Sequence, residues 1–441
     1  MINEFPFNIN QYFSNNKFIE VFNKFIKYST SVGIDRITPE NFEHNLLKNS
    51  ELISQKILNN IFCFTPYKEK LLLKGKNKLP RVISIPTVKD KIVIKILQEC
   101  LSDIYDLKIK QVQTIINEIK TFKDIFDSYI KIDIKRFYSS INHDILIKKL
   151  KQKIKNKTII SLIYNAITNV TQSEVQNDEL AEKNSIGVPE GLSFSNILAN
   201  IYLNNLDNKY GKLKSIVYYR YVDDILIFCN NKSIDRIKSK LENDLNKFYC
   251  LEINKDKYAS GYVNDGFSYL GYDFLNNSIT VRKTSLMKFE KSLEKMFVEF
   301  KRTKYHRNYL IWKLNLKITG CINNNKKYGF LFFFSQINNP KLLFHLDWLI
   351  KKLYSRYNLI YDSQLTKKFS RSFHEIYFNL SKTNYIPNFT NYTIEKMKKV
   401  LTYTMKDNEI VKMSENEIKD KFKKFIFKSI SELEKDQQQI S

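Results

Sequence analysis

The stretch "YYRYVDDILIF", residues 218–228, sets two aspartates side by side between runs of apolar and aromatic residues. Adjacent carboxylates raise each other's pKa and cost folding free energy, most of all in a segment otherwise built for burial. A counter-charge brought from elsewhere, such as a divalent metal ion, would resolve the conflict. The apolar runs on either side read as two strands about a tight turn at the aspartates. Metal-assisted phosphoryl transfer asks for such an arrangement, with carboxylates on rigid neighbouring strands holding two cations roughly 3.5–4 Å apart. Asp223 and Asp224 would supply one side of the site. Asp133, at the end of the alternating segment "YIKID" (residues 129–133), is the candidate third ligand. Taken singly, a pair of turn aspartates or a helix-capping Asp133 has an ordinary structural explanation; the combination carries the argument.

Outward from these segments, "RVISI" (81–85) reads as a strand ended by Pro86, with an amphipathic helix from about Lys89. "SIGVPEGLSFSNILANIYLNNLD" (185–207) reads as a Gly/Pro loop feeding a helix, and "SKLENDLNKFYCLEINKDKY" (239–258) as a helix followed by a strand. "FSYLGYDF" (267–274) reads as one further short strand, and beyond about Asn276 the pattern is helical, basic and aromatic.

The 72 Lys+Arg against 46 Asp+Glu give a formal charge of +26, which points to nucleic acid as the partner, with an anionic membrane surface as the next choice. Five scattered cysteines form no C-x-x-C pair, which excludes a recognisable zinc knuckle and argues against a secreted disulfide framework. The N-terminal "MINEFPFNINQYF" is not a signal peptide, and the aromatic run Phe330–Phe334 is too short to span a bilayer. A soluble cytoplasmic protein with no membrane partner is expected.

"YVDD" between apolar strands resembles the catalytic motif of reverse transcriptases, and further matches follow in that family's order. "RVISIPTVKDKIV" looks like the fingers block of the bacterial group, "KIDIKRFYSSI" like the first catalytic-aspartate motif, and "GVPEGLSFSNILANIYL" like the Pro-Gln-Gly segment. "LEINKDKY" resembles the block with a conserved lysine, "FSYLGYDF" the primer grip, and "GIDRITPENF" an N-terminal block of group II intron, retron and related enzymes. The resemblance covers residues 30–275. It implies an α+β right-hand polymerase: fingers, a palm with an antiparallel sheet, and a C-terminal α-helical thumb and extension. The expected divisions are 1–125 (N-terminal helices and fingers), 126–280 (palm, with an insertion around 150–190), 281–365 (thumb) and 366–441 (helical extension).

Roles carry over position by position. Asp133, Asp223 and Asp224 match the metal-binding carboxylates for two Mg²⁺ ions, with Mn²⁺ as a substitute, and the backbone carbonyl of Ile134 would add a ligand. Lys257 matches the lysine that protonates the leaving pyrophosphate. Lys78 and Arg81 match basic fingers residues that meet the triphosphate, and Tyr138 the aromatic residue beneath the sugar that excludes a 2′-hydroxyl. Glu190 stands where the family has Gln, and should repel a triphosphate unless a lysine, arginine or metal offsets its charge.

The resemblance implies an RNA-directed DNA polymerase using an RNA template, a DNA primer and dNTPs. The lack of a recognisable endonuclease or RNase H block makes the layout most like free-standing unknown-group and abortive-infection enzymes, hence antiphage defence with a dedicated noncoding RNA. A group II intron-derived or retron-type polymerase is the enzymatic alternative, and a catalytically idle RNA-binding module the non-enzymatic one. The C-terminal helices are a candidate surface for a homo-oligomer or a partner protein.

Overall fold

In a computed structural model, the structure describes residues 9–73, 79–107, 110–174, 182–303, 306–405 and 407–440. Two compact units emerge: Met1–Ile109 with Phe126–Gly261, and Lys110–Ile125 with Tyr262–Ser441.

The first unit is organised by a four-stranded sheet in the order β5-β6-β3-β7, with β3 at Ser128–Asp133, β5 at Val217–Tyr221, β6 at Asp224–Cys229 and β7 at Ala259–Tyr262. β6 is central and antiparallel to both neighbours. Its residues Ile225 to Cys229 are all fully buried, as befits an unbroken apolar run rather than an alternating one. The helix Ser195–Gly211 packs into the same core and buries residues around most of its circumference, including Ile197, Leu198, Ile201, Tyr202 and Leu206. A second sheet, β2-β1-β4, joins Tyr67–Leu72 (β1), Arg81–Ile85 (β2) and Thr171–Gln172 (β4), with β1 and β2 antiparallel. The helix Val88–Tyr105 follows at once. Thr87 caps it by accepting from the Asp90 amide at 3.4 Å, while the Thr87 hydroxyl donates to the Asp90 carboxylate at 2.7 Å.

The second unit carries the sheet β10-β9-β8, formed by Phe267–Tyr269 (β8), Tyr272–Leu275 (β9) and Ser278–Val281 (β10). It also holds the long helices Lys283–Arg302, Arg307–Thr319, Lys341–Arg356 and Glu415–Ile440. Together the two units have the expected α+β character, with an antiparallel sheet in the first and a helical C-terminal region.

Several local expectations change. "FSYLGYDF" is two strands, because Leu270 (φ +48°) and Gly271 (φ +83°) turn the chain back on itself. The segment after Tyr249 is not a strand: Ile253 makes a single bridge to Ile134, and a short 3₁₀ turn at Lys255–Lys257 precedes β7. Past Asn276 strands persist, in β10 and in a hairpin of Cys321–Asn323 (β11) and Lys326–Tyr328 (β12). That hairpin turns through Asn324 and Asn325, both at positive φ, a conformation asparagine tolerates. Strands of three or four residues are too short to show a period in sequence.

The C-terminal helix spends its apolar face inside the chain. Ile418, Phe422, Ile426, Ile430 and Leu433 are buried with Leu316, Val400 and Leu401, and Lys313 and Lys317 pair with Glu432 and Asp436 at 2.8 and 2.9 Å. That stripe is therefore not a free surface for an oligomer or partner. Trp312 lies against Phe425 and Tyr403, and Phe330, Phe332 and Phe334 are buried, so these aromatics are core.

Candidate active site

The register of β6 builds the site. Asp224 is the direct cross-strand partner of both Asp133 on β3 and Tyr221 on β5, so the hairpin between β5 and β6 has a two-residue loop, Val222 and Asp223. Directly opposed residues share one face of a sheet with Cβ atoms roughly 5 Å apart, which brings the Asp133 and Asp224 side chains to the same face. The Ile134 amide donates to the Asp223 carbonyl at 3.0 Å and ties the loop to the end of β3. Val222 sits at φ +57°, a left-handed conformation that strains a β-branched residue.

An arginine buttress holds the strained loop. Arg220, whose side chain is 5% exposed, gives its guanidinium to Asp207 through Nε (2.7 Å) and Nη2 (2.5 Å), to Asn200 at 3.0 Å and to the Val222 carbonyl at 2.8 Å. The Tyr218 hydroxyl adds a bond to Asp207 at 2.9 Å. This bidentate pair uses the planar fork of arginine and leaves neither charge uncompensated.

Charge at the tip is unbalanced. Burial pushes the Asp223 carboxyl up to about 6, with Asp224 and then Asp133 adding repulsion. Asp133 is 5% exposed, and both its oxygens are engaged: Lys257 Nζ donates to Oδ1 at 2.5 Å and Asn254 Nδ2 to Oδ2 at 3.0 Å. Burial pulls the Lys257 ammonium down, but the bond to Asp133 and the charges of Asp133, Asp223 and Asp224 win and raise it. Among the described residues no three His, Cys, Asp or Glu side chains converge into a preformed metal cage. The expected carboxylates thus meet at one sheet end, yet Asp133 is satisfied by Lys257 and Asn254. The oxygen donors are of the kind a hard divalent cation takes, with Asp133 opposite Asp224 and Asp223 in the adjoining turn, although the three do not form a preformed cage.

The loop that carries Glu190 is clamped at several points. The Gly187 and Val188 amides donate to the Ile141 and Tyr138 carbonyls at 2.8 Å each, and His143 Nε2 donates to the Gly187 carbonyl at 2.6 Å. The Ser84 amide of β2 donates to the Glu190 carbonyl at 2.7 Å. Gly191 (φ +106°) packs so tightly on β2 that a Cβ would come within 2.7 Å of Ser84 O. Arg81 on β2 pairs with Glu190 through Nε. The Tyr138 hydroxyl is pushed up to about 12, mainly by burial, then by the charges of Asp223 and Glu190, with Arg81 opposing. The Tyr138 hydroxyl thus feels the charge of both the aspartate tip and the Arg81–Glu190 pair. Lys78 lies outside the described residues.

A family model described as "Reverse transcriptase (RNA-dependent DNA polymerase)" matches residues 72–274. This segment is a reverse transcriptase domain. Among curated relatives of the domain, a COX1/OXI3 intron 2 protein of Saccharomyces cerevisiae is 23% identical over 371 residues, 69% of this chain and 42% of that protein. YkfC of Escherichia coli is 22% identical over 289 residues (54% of this chain, 74% of that protein). The group II intron-encoded protein LtrA of Lactococcus lactis is 27% identical over 198 residues (43% and 32%). The chain thus spans less than half the length of these intron-encoded relatives. A telomerase from Candida albicans solved with a telomeric RNA fragment superposes at TM-score 0.43 and 15% identity, covering 89% of this chain and 66% of that one. Apo telomerase from Candida tropicalis gives 0.44 at 16%, with 79% and 68% covered.

Within the reverse transcriptase domain, Arg220, Asp207 and Asn254 are contributors that sequence reasoning passed over. A signal for Arg220 was present: a charge between tyrosines on an otherwise apolar strand must be paired. Asp207 and Asn254 gave none, because their partners are 13 and 121 residues away. Among the described residues no helix is long and apolar enough to cross a membrane.

Proposed function

We propose that the chain is an RNA-directed DNA polymerase that extends a primer hydroxyl with deoxynucleoside triphosphates. The observation that carries this is the pairing of Asp133 with Asp224 across adjacent strands, with Asp223 in the turn between β5 and β6. Divalent cations held by Asp133, Asp223, Asp224 and the Ile134 carbonyl would lower the pKa of the attacking hydroxyl and steady the triphosphate. The remaining tasks fall to the chain's own groups. Lys257 neutralises Asp133 and stands ready to give a proton to the departing pyrophosphate. Tyr138, half-buried and held protonated, offers a flat wall for the sugar. Arg81 is the fingers cation for the phosphates, and its fork suits them. In the step itself the primer oxygen bonds the α-phosphorus, the bond to the bridging oxygen of the β-phosphate breaks, and pyrophosphate leaves. The net charge of +26 supports nucleic acid as the polymeric partner.

Of the two biological settings, the intron-encoded relatives favour a retroelement-derived enzyme. The alternative of antiphage defence with a dedicated RNA predicts that deleting the gene raises phage plating. Catalysis is tested by extension of a DNA primer on an RNA template with magnesium, and by sequencing the nucleic acid that copurifies with the protein. Loss of product in Asp223→Ala is expected. Equal cDNA in wild type and variant would reject the proposal in favour of an RNA-binding role.

A further inference from the structure

The Arg81–Glu190 pair places a carboxylate on the very cation that a nucleotide's phosphates need. We propose that Glu190 occupies Arg81 in the nucleotide-free enzyme and gives it up to the incoming triphosphate, so that binding and release are an exchange of anions on one guanidinium. The proposal rests on the polymerase reading and assigns Glu190 as a positioning residue acting through Arg81.

Three features support an exchange rather than a fixed brace. The backbone around Glu190 is immobilised on β2 by the Ser84–Glu190 bond and the close approach of Gly191, so the side chain alone has to swing. The pair is open to solvent, with Arg81 44% and Glu190 26% exposed, which keeps it weak enough to break. The loop carrying Glu190 is tied to Tyr138 by the bond from the Val188 amide to the Tyr138 carbonyl, and the Tyr138 hydroxyl feels the charges of Arg81, Glu190 and Asp223 alike. Glu190 takes the Nε edge of the Arg81 guanidinium, and a phosphate brought onto that same edge repels the carboxylate and, carrying more charge, displaces it. A triphosphate and pyrophosphate both outcompete a single carboxylate for Arg81, so Glu190 returns to the guanidinium only once pyrophosphate has dissociated.

The experiment measures single-nucleotide incorporation on a primed RNA template by wild type, Glu190→Gln, Arg81→Ala and the double variant. Glutamine keeps the shape and removes the charge. Its KM for dNTP should fall by about fivefold, the upper range for an exposed ion pair. The inhibition constant for pyrophosphate should fall with it, and the change should lie in KM rather than kcat. In the Arg81→Ala background the Gln substitution should then do nothing further. An unchanged or raised KM, or the same shift without Arg81, would overturn the exchange. If wild type incorporates no nucleotide, the polymerase reading fails separately. Titrating inorganic tripolyphosphate in magnesium into wild type and Glu190→Gln still decides the exchange, with tighter binding by the variant expected and equal binding refuting it.

Discussion

Asp223→Asn should stabilise the metal-free protein, an uncommon result for a residue assigned to catalysis. Asp223 is pushed from 3.8 to about 6, first by burial and then by Asp224 and Asp133. Because the folded-state pKa lies above the unfolded one, the folded chain keeps a proton that the unfolded chain has lost between about pH 4 and 6. Unfolding free energy therefore falls as pH rises through that window, and the whole penalty is present at pH 7. At ~1.4 kcal/mol per pH unit the rise corresponds to about 3 kcal/mol; solvent at the half-buried turn screens part of it, leaving about 1–3 kcal/mol. Asn removes the charge at nearly constant volume, so urea unfolding in EDTA at pH 7 should show a gain of that size, vanishing near pH 4. Magnesium should reverse the ranking, since a ligand at 100 times its Kd adds ~2.7 kcal/mol to wild type and little to the variant. A variant less stable than wild type at pH 7 in EDTA, or equal magnesium stabilisation of both, would refute the electrostatic account of the site.

Three further outcomes follow from the same geometry. Asp207→Ala leaves the buried Arg220 guanidinium without its carboxylate and frees the Val222 loop, so stability should drop by about 3–5 kcal/mol and primer extension should fall with it; circular dichroism melts unchanged within 1 °C would contradict this. Lys257→Met strips Asp133 of its ammonium, and the loss in EDTA, about 1–3 kcal/mol, should be largely repaired by magnesium, as denaturant midpoints with and without the ion would show. Asp90 lies in the same pH window, pushed up to about 6 by burial with its Oδ1 unpartnered. Asp90→Asn should flatten the fall in stability between pH 4 and 6 relative to wild type, and an unaltered slope would show that Asp90 does not titrate there.

The two strands about Asp223 and Asp224, the strand ending at Asp133 and the loop around Glu190 were legible in the sequence. Each is set by local pattern: apolar runs of five or six residues broken at carboxylates, or Gly and Pro beside a helical period. Short strands escaped because three residues show no period. β8 and β9 ran together in the sequence reading because Leu270 takes a left-handed conformation that leucine does not advertise. The basic surplus, likewise, is a property of composition alone and is the sequence's own argument for the polyanionic partner proposed above.

Tertiary structure alone decided which charges meet. That Lys257 and Asn254 hold Asp133, that Asp207 anchors Arg220, and that Arg81 rests on Glu190 across 109 residues could not be read from spacing. Those partners are fixed by strand register, where a slip of one residue would turn every side chain to the other face. Burial then strengthens each charge contact in proportion to the water it removes, and burial is a property of the assembled core rather than of any segment within it.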